Sequence, residues 1–220
     1  MTTWHSSAPA GIAARFLQVR QQTLELCASL SAEDLQLQSM PDASPGKWHL
    51  AHTSWFFEQF VLGRDPAYRP RDPAWHYLFN SYYQSVGPMH ARPQRGLLSR
   101  PSLDEVRDYR KRIDDMVADL LARQDDAELS SLVELGLHHE QQHQELLLTD
   151  IKHAFWCNPL QPAYRAPILA EAGAKAVPLR YIDGGEGIVE IGHRGEGFAF
   201  DNETPRHRTL LQPHALANRL

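Results

Sequence analysis

Apolar residues at helical spacing run through most of the first 157 positions of this sequence, and that pattern restricts the fold more than any other feature. It predicts four long amphipathic helices, at residues 10–30, at residues 44–63, from Ser102 onward, and at residues 126–155. Ser102 and Glu105 have the spacing of a capping box, which marks the start of the third helix. The chain is therefore predicted to be mainly α, with a four-helix bundle whose cofactor sites lie between facing helices.

The character of the sequence changes near residue 158. Prolines interrupt residues 158–178, which we interpret as a linker. Beyond it, the sequence predicts short β segments separated by glycine-containing turns, at residues 179–182, 188–191, 198–200 and 208–211. About forty residues of this kind are too few to form a secure core alone. We therefore expect a helical domain at residues 1–157, a Pro-rich linker, and the incomplete start of a second domain at residues 179–220.

Composition excludes several classes of partner and location. The net charge of −5 provides no basic surplus for binding nucleic acid or an anionic membrane. No apolar run approaches the roughly 20 residues that a membrane-spanning helix needs. Cys27 and Cys157 are far apart in the sequence, and the N-terminus lacks the pattern of a secretory signal. These features predict a cytoplasmic protein with reduced cysteines.

A pair of histidines four residues apart predicts a metal site on the fourth helix. His139 and His143 lie on the same helix face, so both imidazoles can bind one ion. A third ligand must come from elsewhere. His52, among aromatic residues of the second helix, is the best candidate, and His49 is its rival one turn earlier. Three imidazoles suit either Zn²⁺ or Fe²⁺, so the ligand types do not identify the metal.

Residues 139–143 also match the H-E-x-x-H motif of zinc proteases, in which the glutamate is the general base. One protease class continues with a glycine and a third histidine, but this chain has Leu146 and Thr149 at those positions. The other class takes a glutamate ligand from a following helix, whereas Pro-rich and β-like sequence follows here. Glu140 is therefore interpreted as a carboxylate that supports the site from outside the ligand set, or as a surface residue.

The long connection between the second and third helices carries candidate substrate-binding residues. We expect a short helix at residues 77–86, followed by a loop shaped by proline and glycine. Tyr82 and Tyr83 provide phenol groups that can donate hydrogen bonds to ligands near a metal. Arg92 and Arg95 can each bind a carboxylate through two parallel hydrogen bonds, which predicts a substrate resembling an amino acid. The alternative is a solvated loop with ordinary surface arginines.

Four blocks of this sequence occur in the same order in bacterial ergothioneine-biosynthesis sulfoxide synthases, which the chain resembles. They are residues 48–52 (WHLAH), 78–83 (LFNSYY), 92–101 (RPQRGLLSRP) and 139–145 (HEQQHQE). The resemblance implies a DinB-like four-helix bundle joined to a domain similar to the formylglycine-generating, or sulfatase-modifying, enzymes. Residues 184–207 look like the opening of that second domain, which implies a truncated, Gly-rich segment with a C-type-lectin-like fold.

The resemblance also implies a chemistry. Such enzymes use non-haem Fe²⁺ and O2 to join the sulfur of cysteine or γ-glutamylcysteine to trimethylhistidine, leaving a sulfoxide. By that resemblance the iron ligands are His52, His139 and His143. Gln142 corresponds to a position near the trimethylhistidine ring, and Arg92 and Arg95 correspond to arginines that hold the carboxylates of the thiol substrate.

The chain is about half the length of the proteins it resembles. The residues that act on the reacting oxygen would lie in the second domain, so no catalytic residue is assigned here. We accordingly expect metal binding without efficient sulfoxide synthesis. Two alternatives stay open: a DinB-like thiol transferase that uses Zn²⁺ or Ni²⁺ without oxygen, and a module that binds metal or substrate without turnover.

Overall fold

The computed structural model describes residues 11–81, 86–124, 126–166 and 177–219. The chain divides into two compact units, Met1–Ala166 and Pro167–Leu220. Within the described part of the first unit the α-helices are α1 (Ile12–Cys27), α2 (Gly46–Phe60), α3 (Ala74–Phe79), α4 (Leu103–Arg123) and α5 (Ala127–Cys157). The prediction of a mostly helical chain with long helices in these regions is confirmed. None of the described helices is both long and apolar enough to cross a membrane.

The first unit is built around α2. From Lys47 to Glu58 every residue of this helix is buried, because α2 packs against α4 and α5 and also contacts α3. Helix α1 packs on α4 and α5 in turn, so a single apolar core is shared by the four long helices. This arrangement buries the histidines of α2 against the face of α5 that carries His139 and His143.

Local sequence signals explain where the helices begin. At the start of α4 the Ser102 hydroxyl accepts a hydrogen bond from the Glu105 amide, and the Glu105 carboxylate accepts one from the Ser102 amide. The predicted capping box is therefore present. Helix α5 begins after Asp126, whose carboxylate accepts a hydrogen bond from the Glu128 amide.

The short helix in the long connection lies earlier than the sequence predicts. The expected range was residues 77–86, but α3 spans Ala74–Phe79. It begins after Pro73, where the Asp72 carboxylate accepts a hydrogen bond from the Ala74 amide. It ends at Asn80, whose backbone is extended. Residues 82–85 of the predicted helix lie outside the described residues.

The second unit contains two antiparallel strand pairs. Strand β1 (Tyr181–Asp183) pairs with β4 (Ala215–Ala217), and β2 (Gly187–Ile191) pairs with β3 (His207–Leu211). Apolar residues face one another across each pair, Ile182 beside Leu216 and Ile188 beside Leu210, yet all four are more than half exposed. No residue is buried in the described range 177–219.

One prediction for the second unit is corrected, and one strand of that unit was not predicted. Residues 198–200, expected to form a strand, do not, because Phe200 bonds through both its amide and its carbonyl to Glu203 and so closes a turn. Strand β4 was not predicted at all, since its three residues carry no alternating pattern. The predicted boundaries of the linker and the incomplete domain stay predictions.

Candidate metal centre

Three histidines from two helices converge at one point. His52 lies on α2, while His139 and His143 lie one turn apart on α5. One ring nitrogen from each lies within 4.8 Å of the others. The Nε2 atoms of His52 and His139 are 3.1 Å apart. Two nitrogens that each bind one metal at about 2.1 Å would sit at this separation when the angle at the metal is about 95°. The cluster therefore fits a single transition-metal ion.

The surroundings of His52 fix which nitrogen faces the cluster. Its Nδ1 lies 2.6 Å from the carbonyl oxygen of Phe79, to which it must donate a hydrogen bond. Trp48 and Trp55 stack on the imidazole, with ring centroids 4.5 Å and 5.6 Å away. Since Nδ1 carries the proton, Nε2 presents its lone pair to the other histidines. This is the arrangement in which an imidazole binds a metal.

Stacking and burial hold the His139 ring in place, without a hydrogen bond at Nδ1 to any described residue. Its ring stacks on Phe56 at 4.6 Å, and its buried Nδ1 has no hydrogen-bond partner among the described residues. Burial lowers the pKa of His139 to about 4, although the nearby carboxylate of Glu140 opposes the shift. Burial likewise holds the pKa values of His52 and His143 well below their usual range. The three rings are therefore neutral at pH 7, the form that binds metal.

His49, the rival third ligand, lies beside this group. Its Nδ1 is 2.8 Å from Nδ1 of His143, and its Nε2 is 3.0 Å from the Asp150 carboxylate. Burial lowers the pKa of His49, and the hydrogen bond to Asp150 opposes that shift. His49 thus contacts Nδ1 of His143, whereas His52 supplies the third nitrogen of the cluster.

A pocket of about 220 Å³ opens onto the cluster, and its lining includes Arg92, Arg95 and Gln142. The buried guanidinium of Arg95 lies 3.5 Å from the ring centre of Trp48. Its two terminal nitrogens donate to the hydroxyls of Ser44 and Ser81. Arg92 is half-buried and Gln142 is exposed. Tyr82 and Tyr83 lie outside the described residues.

The helical part of this chain matches a protein-family model. The model of the DinB superfamily matches residues 15–147, which is more than half of the chain and includes all three histidines. The chain belongs to the DinB superfamily. Domains of this kind bind metals in general, and the three-histidine cluster is present in this DinB domain. A comparison with curated proteins finds no match.

Glu140 has a structural environment in this DinB domain that the sequence did not predict. It is fully buried, so its interpretation as a surface residue is wrong. Its carboxylate forms ion pairs with Arg20 of α1 and Arg110 of α4, and it accepts a hydrogen bond from Thr23. Burial alone would raise the pKa of Glu140, but the two arginines outweigh it and the pKa is lowered to about 2. An ionised carboxylate held by two arginines is not available as the general base of a protease.

Sequence reasoning also missed Ser44, Ser81 and Asp150, which line the same pocket. The signal for Asp150 was present, because it follows His143 by seven residues and so lies on the same face of α5 two turns later. The two serines had no such signal. They reach the pocket only because the connection after α3 and the segment before α2 lie beside one another, joined through Arg95.

Proposed function

We propose that this DinB domain carries the iron site of an oxygen-dependent sulfoxide synthase, with His52, His139 and His143 as the ligands. The proposal rests on one observation above all: three neutral imidazoles meet in the lining of a small pocket, together with Arg92, Arg95 and Gln142. A site with three protein ligands leaves positions open for substrates. When bound, Fe²⁺ would supply the redox chemistry that joining a thiol to an imidazole carbon with O2 requires.

The residues around the cluster are suited to binding and orienting a thiol amino acid. Arg92 and Arg95 place positive charge at the pocket, where the carboxylates of cysteine or γ-glutamylcysteine would bind. Gln142, one position before His143, can donate and accept hydrogen bonds and is proposed to contact trimethylhistidine. The aromatic rings of Trp48 and Phe56 cover one face of the imidazoles of His52 and His139, which shields those faces from water.

The finer structural assignment belongs to the same proposal. We propose that α1, α2, α4 and α5 form a DinB-like four-helix bundle, since each packs on two of the others. Residues 177–219, with two strand pairs and a Gly-rich sequence, are proposed to belong to a sulfatase-modifying-enzyme-like domain. Support for that second assignment comes only from the resemblance of residues 184–207.

Anaerobic titration tests the metal site. We expect one Fe²⁺ per chain to bind the wild-type protein, and His139→Ala to weaken binding at least 100-fold. His138→Ala is the matched control, because the adjacent histidine is not in the cluster.

Co²⁺ as a spectroscopic substitute should develop a thiolate charge-transfer band when cysteine is added. Arg92→Ala should weaken that cysteine binding without changing the affinity for Co²⁺.

Turnover then separates the candidate functions. With Fe²⁺, cysteine and trimethylhistidine, we expect a low yield of sulfoxide that requires O2. Thiol transfer by the Zn²⁺ or Ni²⁺ form without O2 would overturn the proposal in favour of a DinB-like thiol transferase. Binding of metal and cysteine with no product under either condition would instead identify a non-catalytic binding module.

A further inference from the structure

A chain of three side chains runs from the edge of the pocket to the metal cluster. The Oδ2 atom of Asp150 accepts a hydrogen bond from the Ser44 amide at 2.8 Å, which fixes the carboxylate. The same oxygen lies 3.0 Å from Nε2 of His49, and Nδ1 of His49 lies 2.8 Å from Nδ1 of His143. His49 is 3% exposed, so water does not compete for these contacts.

The direction of each hydrogen bond follows from the chemistry of the groups. The Oδ2 atom of Asp150 acts as an acceptor toward the Ser44 amide, so Nε2 of His49 must donate to it. A neutral imidazole carries a single N–H, which leaves Nδ1 of His49 as an acceptor. Nδ1 of His143 must then donate to it. The remaining nitrogen of His143, Nε2, is left with a free lone pair, which is what a metal ligand requires.

We propose that Asp150 and His49 are positioning residues of the metal centre, which hold His143 in the tautomer whose Nε2 binds the ion. The inference rests on the proposed metal site and deepens it. The other two ligands are supported differently: a backbone carbonyl fixes His52, and stacking on Phe56 holds His139. His143 is thus the ligand whose tautomer is set by side chains. Losing such a partner typically lowers metal affinity 10-fold to 100-fold.

Two substitutions at His49 separate this role from simple packing. His49→Leu fills a similar space but removes the acceptor for the Nδ1 proton of His143. In His49→Asn the side-chain oxygen lies near the former position of Nδ1 and can accept that proton. We expect His49→Leu to weaken Zn²⁺ and Co²⁺ binding 10-fold to 100-fold, and His49→Asn to recover most of the loss. His153→Leu, at a half-buried histidine ten residues further along α5 than His143 and outside the cluster, is the control and should bind metal like the wild type.

The tautomer itself can be read without any metal. In ¹⁵N spectra of the apo protein, Nδ1 of His143 should be protonated and Nε2 unprotonated, and His49→Leu should populate the opposite tautomer. Equal metal affinity in wild type, His49→Leu and His49→Asn would overturn the inference, as would a wild-type His143 protonated at Nε2. A wild-type protein with the expected tautomer but no metal affinity would instead contradict the proposed function and leave the hydrogen-bond assignment intact.

Discussion

At the scale of single residues, Glu140 is the strongest test of how the helices are held together. Its carboxylate lies between Arg20 and Arg110, and all three side chains are at most 2% exposed. Glu140→Gln removes the negative charge, so the buried guanidinium of Arg110 loses the carboxylate that pairs with it, while Arg20 keeps its ion pair with Asp114. Breaking a buried ion pair from one side typically costs about 3–5 kcal/mol, so we expect a loss of that size in the free energy of unfolding, measured with urea.

The matched control for this substitution lies five residues further along the same helix. Glu145 is exposed on α5, so Glu145→Gln should change the free energy of unfolding by less than about 0.5 kcal/mol. If both variants unfold at the wild-type urea concentration, the buried ion pairs of Glu140 do not stabilise the fold. The comparison isolates burial, since the chemical change is the same at both positions.

At the scale of secondary-structure elements, Gly136 sets the distance between α5 and α2. A Cβ atom at this position would lie 2.5 Å from Cε1 of Phe57, well inside van der Waals contact. Alanine favours helix by about 1 kcal/mol over glycine. Overpacking of a tight core costs about 1–3 kcal/mol, which outweighs that gain here. We expect Gly136→Ala to lower the free energy of unfolding, by up to about 2 kcal/mol, in urea titrations.

A second substitution shows whether the clash is the cause. Phe57→Leu removes the two ring atoms nearest to the new methyl group, so the double variant should lose less stability than the sum of the two single variants. Simple additivity of the two effects would contradict the explanation. A stabilised Gly136→Ala would mean that the two helices move apart at little cost.

At the scale of the whole molecule, the two units differ in what can hold them folded. The buried residues of the described chain all lie between residues 11 and 166, and so do all members of the metal cluster. Residues 177–219 contain none. We therefore expect a chain shortened to residues 1–166 to unfold cooperatively and to bind Fe²⁺ with wild-type affinity. The isolated segment 167–220 should show no protection of its amides from hydrogen exchange.

Two outcomes would contradict this expectation. Loss of Fe²⁺ affinity in the shortened chain would mean that the second unit supports the metal centre. Slow amide exchange in the isolated segment would mean that its two strand pairs are stable without a buried core.

The calorimetric transition of residues 1–166 should also rise in temperature when Fe²⁺ is added, because a ligand that binds only the folded state stabilises it.

Much of the helical fold was predictable because its signals are local. Helical spacing of apolar residues located the four long helices, and the capping box located the start of α4. The shift of α3 and the absence of a strand at residues 198–200 were not predictable in this way. The Asp72 carboxylate accepts a hydrogen bond from the Ala74 amide where α3 begins, three residues before the predicted start. The Glu203 carboxylate accepts one from the Phe200 amide, which favours a turn over the predicted strand.

The sequence by itself determined that His139 and His143 share a helix face, because four-residue spacing fixes that geometry on any α-helix. Only the tertiary structure decided that His52 faces them, that His49 contacts Nδ1 of His143, and that Glu140 lies in the core. The physical reason is that spacing along one helix fixes relative directions within it. Distances between α2 and α5 depend instead on how side chains far apart in the sequence pack together.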